Sequence, residues 1–453
     1  PINLFNPGKI VEAVAMDKDL RYEADAKEKK VETLFNFEST GGILNTVEKC
    51  NGSGDCRKLS FAGGTMCPSY RATLDEKDST RGRANVLREF LTQNTKENPF
   101  DHPEIKNVMD LCVSCKACKS ECPSNIDMST LKAEFLFQYQ KVNPVSLRSR
   151  LIAHNARINA LAYRFSAFYN AIGKSSWFKR AIGVHPERSL PTLKSTTLRQ
   201  WFSKYKQVEQ AKVVYLFCDE YTNHYDLEIG KKAIELLVKL GYSVRMPIHP
   251  ESARAYISKG FLNEAKAIAT ENITLFRTLI SKNMPLIGIE PSAILGFRDE
   301  YPNLVNTTLK LDADKVALNT FTIEEFLSNE IDHSRIDVSL FSKSSKTIYY
   351  HGHCHQKALS SNSYAERILS LPINFTVQTI DSGCCGMAGS FGYEKEHYEL
   401  SQQIGEDRLF SALRTVKLDA IVAASGTSCR HQIKDGVNKT ALHPIEVLYN
   451  ALN

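Results

Sequence analysis

The sequence predicts an α+β protein of several domains, in which a small, mainly α-helical, cysteine-rich domain precedes a duplicated α/β domain. Seven of the twelve cysteines fall within residues 43–142. From residue 211 onward, short β-branched runs alternate with helical stretches, which is typical of parallel sheets covered by helices. A chain of 453 residues is long enough for roughly two to four domains with cores of their own.

Changes of composition divide the chain into regions. These are a polar lead-in at 1–40, the cysteine-rich domain at 41–144, a basic helical connector at 145–210 and the α/β domain at 211–453, whose halves lie at about 211–345 and 346–453. The connector holds twelve Lys or Arg residues between 145 and 206 against one acidic residue, Glu187. The two halves of the α/β domain resemble a duplicated unit of about 130 residues.

Composition argues against several classes of protein. The chain is 42% hydrophobic and 24% charged, has no apolar run as long as a membrane span, and does not start with the pattern of a signal peptide. Cysteines without a secretion signal indicate reduced metal ligands in a cytoplasmic setting. The net charge of +6 is modest, and no nucleic-acid partner is expected. The basic connector is expected either to clamp the domains together or to contact an acidic partner or the anionic inner membrane.

The run C-V-S-C-K-A-C-K-S-E-C-P carries the most specific chemistry in the chain. Its cysteines are Cys112, Cys115, Cys118 and Cys122, spaced C-x2-C-x2-C-x3-C-P. Three thiolates at this spacing hold one iron–sulfur cube, and the fourth, before Pro123, ligates the other cluster in two-cluster ferredoxins. Zinc sites need two separated pairs of ligands, and cysteines three residues apart pair poorly as disulfides. The region is therefore predicted to be a ferredoxin-like [4Fe-4S] domain.

A second, imperfect motif precedes the first. In C-N-G-S-G-D-C, Cys50, Ser53 and Cys56 keep the three-residue step, and Cys67 stands before a proline. The ligand arrangement of two-cluster ferredoxins predicts one cubane held by Cys67, Cys112, Cys115 and Cys118. It leaves a second set made of Cys50, Cys56 and Cys122. That second set lacks one thiolate. Three interpretations of this second set are open. It holds a [3Fe-4S] cluster, or it holds a [4Fe-4S] cluster with Ser53 or water on one iron. In the third interpretation it holds no cluster, and the thiols are small core residues.

Two further features lie beside these cysteines. The stretch from Ile126 repeats apolar residues at helical spacing, which predicts a helix capped by Asp127 or Ser129. The segment between the two motifs is dense in arginine, with Arg71, Arg81, Arg83 and Arg88. These arginines either offset the negative charge of a cluster or line a flavin-facing surface, or they form a solvated helix face.

The C-terminal half gathers soft metal ligands after three predicted strands, K-T-I-Y-Y, F-T-V-Q-T-I-D and L-D-A-I-V-A-A. The candidate ligands are His353, Cys354, His355, Cys384, Cys385, Cys429 and His431. In open α/β sheets, ligands bind at the carboxyl ends of the strands, where these segments meet. They predict an iron–sulfur centre or another soft metal centre. Gly383 and Gly386 would let the backbone approach a bulky cofactor.

Other interpretations of this site are weaker. A Cys–His catalytic pair needs a single nucleophile, whereas four cysteines are present, and a vicinal Cys384–Cys385 disulfide is strained. The glycine-rich run after Cys385 lacks the Lys-Ser/Thr pair of a P-loop. In the first half of the duplication, E-S-A-R-A and E-P-S-A-I replace C-C-G and S-G-T-S-C, and only Cys218 remains. One soft-metal site is therefore expected.

These motifs resemble a known family. The stretches that carry the resemblance are C-N-G-S-G-D-C-R, M-C-P-S-Y-R-A-T, S-T-R-G-R-A-N, C-V-S-C-K-A-C-K-S-E-C-P, G-I-E-P-S-A-I-L-G-F-R-D-E-Y, H-G-H-C-H-Q-K-A-L and S-G-C-C-G-M-A-G-S-F-G. They are similar to the iron–sulfur half of fused FAD-linked oxidases related to D-2-hydroxyglutarate, D-lactate and glycolate dehydrogenases. In that family a ferredoxin-like domain precedes a cysteine-rich "CCG" domain. The opening L-F-N-P-G-K-I resembles the end of the flavin domain, which implies that residues 1–20 are its tail.

The resemblance implies an electron-transfer module. FAD in a missing or partner domain would oxidise a D-2-hydroxyacid, and the clusters would pass the electrons through the C-terminal centre to a quinone or another acceptor. The degenerate first half departs from the heterodisulfide-reductase pattern. Two alternatives are a thiol–disulfide reductase that uses Cys384 and Cys385 directly, and a non-catalytic iron–sulfur sensor or structural metal module.

Overall fold

The computed structural model describes residues 4, 7–18 and 31–453 of the chain. The expected tail of a flavin domain at 1–20 lies partly outside the described residues. Over the described part, a helical cysteine-rich domain, a helical connector and two parallel sheets follow one another in the predicted order. The α+β fold class is thereby confirmed, and the residue boundaries between the domains stay a prediction.

The cysteine-rich domain is built from short helices and loops. Its helices are α1 (Ile43–Glu48), α2 (Pro68–Thr73), α3 (Thr80–Thr92), α4 (Pro103–Asp110), α5 (Ala117–Glu121) and α6 (Met128–Gln140). The helix expected from Ile126 is α6. The Asp127 side chain caps it by accepting a hydrogen bond from the Thr130 N–H at 3.1 Å. Cys67 directly precedes α2, and Cys118 lies in α5. A helix therefore fixes the backbone at or next to each of these two cysteines.

The connector is helical and exposes apolar side chains. Its helices are α7 (Leu147–Ala153), α8 (Asn155–Ala162), α9 (Ser166–Gly173), α10 (Ser176–Ala181) and α11 (Leu198–Phe202). The large apolar side chains that are mostly exposed are Leu147, Leu161, Phe165, Phe168, Trp177 and Val208. None of the helices within the described ranges is both long and apolar enough to cross a membrane. The connector thus combines exposed apolar side chains with an excess of Lys and Arg.

One connector side chain is fully buried against the second half of the α/β domain. Arg188 donates hydrogen bonds to the Gly392 carbonyl at 2.6 Å, to Gln432 Oε1 at 2.7 Å and to Ser401 Oγ at 2.7 Å. It also lies 3.6 Å from the carboxylate of Asp435. This anchorage supports the interpretation of the connector as a clamp.

Two four-stranded parallel sheets form the α/β domain. The strands are β1 (Lys212–Phe217), β2 (Tyr242–Arg245), β3 (Leu286–Gly288), β4 (Thr320–Thr322), β5 (Lys346–His351), β6 (Phe375–Thr379), β7 (Ile421–Ala424) and β8 (Ala441–Leu442). Their orders, β2-β1-β3-β4 and β6-β5-β7-β8, are the same in the two halves, as a duplication requires. The sequence predicts all of these strands except β4 and β8.

Helices connect and cover these strands. In the first half they are α12 (Glu220–His224), α13 (Leu227–Lys239), α14 (Arg254–Ser258), α15 (Leu262–Phe276), α16 (Pro291–Ile294), α17 (Tyr301–Leu304), α18 (Lys310–Leu318) and α19 (Ile323–Asp332). In the second half they are α20 (Cys354–Leu359), α21 (Asn362–Leu369), α22 (Tyr398–Gly405), α23 (Ser411–Arg414), α24 (Thr427–Val437) and α25 (Pro444–Tyr449). The predicted helices at 227–240 and 262–280 correspond to α13 and α15.

The first sheet separates two apolar cores. Alternate side chains of β3 point to opposite faces, so Leu286 joins one core and Ile287 the other. The Leu286 core continues into the cysteine-rich domain, where it includes Phe100 and Phe135. The Ile287 core packs α13 against the C-terminal α25. The cysteine-rich domain therefore shares its core with the α/β domain, which fixes the relative positions of the cysteine clusters.

Candidate iron–sulfur and metal centres

The four thiols that the sequence assigns to one cubane line a single small cavity. Its cysteines are Cys67, Cys112, Cys115 and Cys118. All four are buried and free of disulfides. Burial raises the pKa of the Cys115 and Cys118 thiols, and neighbouring negative charges raise it further. Four thiols around one cavity are the donor set of a [4Fe-4S] cluster, so the residues present fit the predicted group.

A carboxylate holds the Cys67 loop against the helix that carries Cys118. Glu121, at the end of α5, accepts hydrogen bonds from the Thr65 N–H at 2.8 Å and from the Met66 N–H at 3.0 Å. Hydrogen bonds to an ionised carboxylate are shorter and stronger than those between neutral groups. This contact brings Cys67 to the other three thiols although it is distant from them in sequence.

Arg83 lies beside the cubane cavity and is fully buried. It donates to the Asp78 carbonyl at 2.6 Å and to Ser69 Oγ at 3.1 Å, and its Nη1 lies 3.9 Å from Cys67 Sγ. A buried guanidinium next to a thiol is placed to offset the negative charge of a cluster. This position favours the charge-offset interpretation for Arg83.

The other arginines of that segment differ in their surroundings. Arg71 is buried and donates to the Gly63 carbonyl. Arg81 is half-buried: its side chain pairs with Glu76 at 2.8 Å, and its backbone N–H donates to Cys56 Sγ at 3.4 Å. Arg88 donates to Asn85 at the surface. The solvated-face interpretation therefore applies to Arg88 alone among the four.

The second cysteine set lies nearer to the surface. Cys50 is half-buried, whereas Cys56 and Cys122 are buried. Burial raises the pKa of Cys56, and the nearby Cys50 raises it further. Ser53 is exposed, and its side chain forms a hydrogen bond that lowers the pKa of Asp55. The choice between a [3Fe-4S] cluster, a [4Fe-4S] cluster and no cluster stays open.

The C-terminal centre forms at the carboxyl ends of the second sheet. His351 ends β5, Cys384 and Cys385 follow β6, and Cys429 lies in α24 after β7. Ligand atoms of His351, Cys385 and Cys429 lie within 4.8 Å of one another, and all three residues are buried. The His351 Nδ1 atom hydrogen-bonds Ser382 Oγ at 2.6 Å, while its Nε2 atom is buried without a hydrogen-bond partner. An orphaned imidazole nitrogen beside two thiols fits a soft metal ion.

The four C-terminal cysteines form one connected group. Cys384 lies close enough to Cys354 and to Cys385, and Cys385 close enough to Cys429, for these thiols to shift one another's pKa. The adjacent thiols of Cys384 and Cys429 lower the pKa of Cys385 well below its ordinary value, and the adjacent His351 imidazole lowers it further. The adjacent Cys384 thiol lowers the pKa of Cys354 to about 7. Thiolates are the metal-binding form of cysteine, so this group is suited to a metal.

Sequence reasoning missed His351 and proposed three other histidines. His353 caps α20, and its Nδ1 accepts a hydrogen bond from the His355 N–H at 3.2 Å. His355 Nε2 lies 3.0 Å from the Ser114 carbonyl of the cubane loop. His431 lies outside the group of ligand atoms around Cys385. The sequence marks His351 only as the last residue of a strand, and the thiols that it meets lie far along the chain.

In the first half, carboxylates stand where the second half has cysteines. Cys218 is buried, which raises the pKa of its thiol to about 12, and its backbone N–H donates to His249 Nε2 at 3.1 Å. Glu290, from E-P-S-A-I, accepts a hydrogen bond from the Thr427 N–H at 2.8 Å and lies 3.9 Å from His353 Nε2. The degenerate half therefore supports the site of the other half.

The two sulfur-rich centres adjoin. Helix α5 of the cubane loop packs against α20, which begins at Cys354. The His355–Ser114 hydrogen bond joins the same two segments. The negative charge of Cys354 contributes, after burial, to the raised pKa of Cys115. The ligands of the predicted cubane therefore lie next to the C-terminal thiols.

A cavity of about 370 Å³ opens beside the C-terminal cysteines. The connector supplies its apolar wall, with Leu151, Ile152, Ile158, Phe178 and Ile182. The polar part of the lining includes Arg254, Glu290, His353, Cys354, Cys384 and Cys385. Val113 and Ser114 of the cubane loop also reach it. A bound molecule would therefore contact the C-terminal cysteines and the loop that carries the cubane cysteines.

A model of the 4Fe-4S dicluster domain family matches residues 49–127. The match covers Cys50, Cys56 and Cys67 together with the cysteines at 112–122. It confirms that this region is an iron–sulfur domain. No solved structure matches the chain.

Relatives of the chain are dehydrogenases and oxidases or parts of them. The D-2-hydroxyglutarate dehydrogenase of Escherichia coli (strain K12) is 26% identical over 500 residues, which cover 99% of this chain and 48% of that protein. The chain thus spans about half the length of the D-2-hydroxyglutarate dehydrogenases that it matches. One component of the anaerobic glycerol-3-phosphate dehydrogenase of the same strain is 26% identical, over 73% of this chain and 83% of that component.

A further relative is an iron–sulfur subunit by name. The probable glycolate oxidase iron-sulfur subunit of Bacillus subtilis (strain 168) is 22% identical, over 86% of this chain and 90% of the relative. These matches, together with the iron–sulfur domain, confirm the expected resemblance of the chain to the iron–sulfur modules of FAD-linked oxidases.

Proposed function

We propose that the chain is the iron–sulfur electron-transfer module of an FAD-linked D-2-hydroxyacid dehydrogenase. Electrons would enter from a reduced flavin in a partner domain or subunit and leave to a quinone or another acceptor. The observation that carries the proposal is the contact between the cubane cavity and the C-terminal thiols, through α5, α20 and the His355–Ser114 hydrogen bond. That contact supports a continuous route between two redox centres.

The cubane residues would hold the cluster and tune it. A bound [4Fe-4S] cluster accepts and passes on single electrons. Cys67, Cys112, Cys115 and Cys118 would be its ligands. Thr80 Oγ1, 3.3 Å from Cys67 Sγ, and the buried Arg83 would stabilise negative charge on that thiolate. Glu121 keeps the Cys67 loop in place.

The partial exposure of Cys50 favours the second cysteine set, made of Cys50, Cys56 and Cys122, as the first acceptor of electrons. A redox partner must approach closely, and among these cysteines Cys50 is the one that is not fully buried. The D-2-hydroxyacid assignment rests on the D-2-hydroxyglutarate dehydrogenases, whose full length is about twice the part that this chain matches, and the FAD assignment rests on the family resemblance. The substrate pocket would lie in that remaining part.

The C-terminal residues would hold an iron–sulfur or other soft metal centre. His351, Cys385 and Cys429 form its core, and Cys354 and Cys384 complete the donor set. Gly426 permits close packing, because a Cβ atom there would lie 2.2 Å from His353 Cδ2. The alternative ligands His353, His355 and His431 remain part of the proposal.

The cavity beside this centre is the proposed acceptor site. Its apolar wall and its volume of about 370 Å³ suit an apolar ring with carbonyl oxygens, which is the chemistry of a quinone. The exposed apolar and basic side chains of the connector would hold the protein against an anionic bilayer in which such an acceptor dissolves. Two electrons and two protons from water convert a quinone to a quinol.

A cavity-blocking variant tests this proposal. The apolar residue Ile158 lines the cavity, whereas Leu161 on the same helix is exposed. In the chain reduced by dithionite without oxygen, Ile158→Trp should slow reoxidation by a short-chain quinone at least tenfold, and Leu161→Trp should leave it unchanged. Equal rates in the two variants, with equal iron contents, would contradict the acceptor site.

A thiol–disulfide reductase is the second candidate. It is favoured by the position of Cys354, Cys384 and Cys385 on the wall of the cavity, where a disulfide could reach them. Such an enzyme would turn over an organic disulfide with reduced methyl viologen as donor. Turnover of the disulfide without any reaction with quinone would favour this candidate over electron transfer to a quinone.

A further inference from the structure

A buried lysine stands between two of the cubane thiols. Lys116 separates Cys115 from Cys118, lines the cubane cavity and is 1% exposed. Its Nζ atom lies 2.5 Å from Asp299 Oδ2, 3.1 Å from Glu300 Oε1 and 3.5 Å from Asp127 Oδ2. The only side chain of the C-V-S-C-K-A-C loop with a full positive charge is thus surrounded by carboxylates.

Two of these carboxylates come from the first half of the α/β domain. Asp299 and Glu300 belong to the run G-F-R-D-E-Y, and they are 4% and 2% exposed. The third carboxylate, Asp127, is the cap of α6. The contact therefore joins the cubane loop to a segment far along the chain.

Two further cations complete the cluster of charges. Lys119 contacts Asp299, and Arg254 Nη1 lies 2.5 Å from Glu300 Oε1. Three cations, Lys116, Lys119 and Arg254, thus face three carboxylates, Asp127, Asp299 and Glu300. Removing either partner of such a buried pair leaves an uncompensated charge in a region of low dielectric.

A purely structural clamp does not require charge at this place. Buried ion pairs are weak contributors to stability, and apolar residues of similar size often serve as well. The lysine, however, lines the cavity that the cubane would fill, where fixed charge changes the free energy of adding an electron. The position of Lys116 therefore indicates an effect on the reduction of the cluster in addition to a structural role.

We propose that Lys116 and Asp299 form a charge pair that sets the reduction equilibrium of the cubane. Lys116 is a positioning residue and does not ligate iron. The first half of the duplication, which kept only Cys218 of its own thiols, supplies the carboxylates that hold this lysine. The proposal rests on the proposed function, because it requires a cluster in the cubane cavity.

The sign of each effect follows from the electron's charge. Reduction adds one negative charge to the cluster. Loss of the Lys116 cation disfavours reduction, and loss of the Asp299 anion favours it. Removing both leaves the net charge as it was, so the double variant should resemble the unchanged protein.

A redox titration followed by EPR tests the pair in the full chain. Lys116→Met should shift the equilibrium toward the oxidised cluster and Asp299→Asn toward the reduced cluster, each at least tenfold, which is about 59 mV for one electron. The double variant should lie between them, near the unchanged protein, and Lys116→Arg should also resemble it. The exposed pair Lys310–Asp314, at 2.5 Å, supplies the matched controls Lys310→Met and Asp314→Asn, which should have no effect.

The outcomes separate this inference from the proposed function. A normal cubane signal whose midpoint stays within twofold in both single variants, or moves in the same direction in both, would overturn the charge pair alone. Absence of a cubane signal in the unchanged protein would overturn the proposed function and this inference together. Should Lys116→Met fail to fold, an Asp299→Asn midpoint equal to that of Lys116→Arg would overturn the charge pair, and a raised one would support it.

Discussion

Gly386, directly after the C-terminal cysteine pair, offers a sharp test of the packing at that centre. Its φ is +93°, and a Cβ atom there would lie 2.2 Å from the Ser401 carbonyl oxygen, which is backbone and cannot swing aside. A left-handed conformation costs an L residue about 1–2 kcal/mol. Forcing additional atoms into a packed site costs about 1–3 kcal/mol more. Gly386→Ala should therefore destabilise the protein by roughly 2–5 kcal/mol.

The chain contains a matched control three residues away. Gly389 has a φ of +64° but no atom within 4 Å of an added Cβ. Gly389→Ala should therefore cost only the conformational part, about 1–2 kcal/mol. The difference between the two variants isolates the clash with Ser401.

Urea unfolding of the metal-free protein is the suitable assay, because a bound metal would add its own binding free energy to the native state. Metal content of the reconstituted protein gives a second measurement, since the clash displaces the adjacent Cys385. Equal free energies of unfolding for the two alanine variants would refute the close approach of Gly386 to Ser401.

Three further predictions concern other parts of the chain. Arg188→Met removes three buried hydrogen bonds and should lower the free energy of unfolding by about 3–5 kcal/mol. Arg414→Met, at an exposed pair with Glu406, should leave the free energy of unfolding nearly unchanged, and similar losses in the two variants would contradict the anchorage of Arg188. Burial alone would lower the pKa of His397, but hydrogen bonds to Asp110 and Glu394 raise it above its ordinary value. The ion pairs of protonated His397 therefore stabilise the protein fully below about pH 6.5, and this contribution is lost as the pH rises through the raised pKa. In denaturant titrations, the difference in free energy of unfolding between the unchanged protein and His397→Phe should shrink with rising pH. A difference that stays constant with pH would refute the pairing. His351→Asn should weaken metal binding at the C-terminal centre at least tenfold while the cubane EPR signal stays unchanged, and His333→Asn, at an exposed histidine, should not affect metal binding. Full retention of metal in His351→Asn would exclude His351 as a ligand.

The sequence carried most of the information about the cubane. Three of the cubane ligands could be recognised because closely spaced cysteines on one short loop form a known motif. The assignment of Cys67 to the same cluster followed from the ligand arrangement of two-cluster ferredoxins. Six of the eight strands were predictable for a similar reason, since each lies in a short run rich in β-branched, aromatic or other apolar residues between helical stretches. Strands β4 and β8, with three and two residues, are defined by their neighbours in the sheet rather than by a local pattern.

Contacts between distant segments could not be predicted. His351 looks like the end of a strand, and its role depends on Cys385 and Cys429 meeting it across the sheet edge. Lys116 looks like an ordinary loop residue until Asp299 and Glu300 are brought to it. The cavity beside the C-terminal thiols likewise needs walls from the connector, the cubane loop and both halves of the α/β domain.

Iron and sulfide analysis with EPR, on chain purified without oxygen, tests the central claim most directly. The account predicts at least about four iron and four sulfide per chain, with a cubane signal on reduction that Cys115→Ser abolishes. A correctly folded, colourless preparation without iron would contradict it, and so would full iron content in Cys115→Ser.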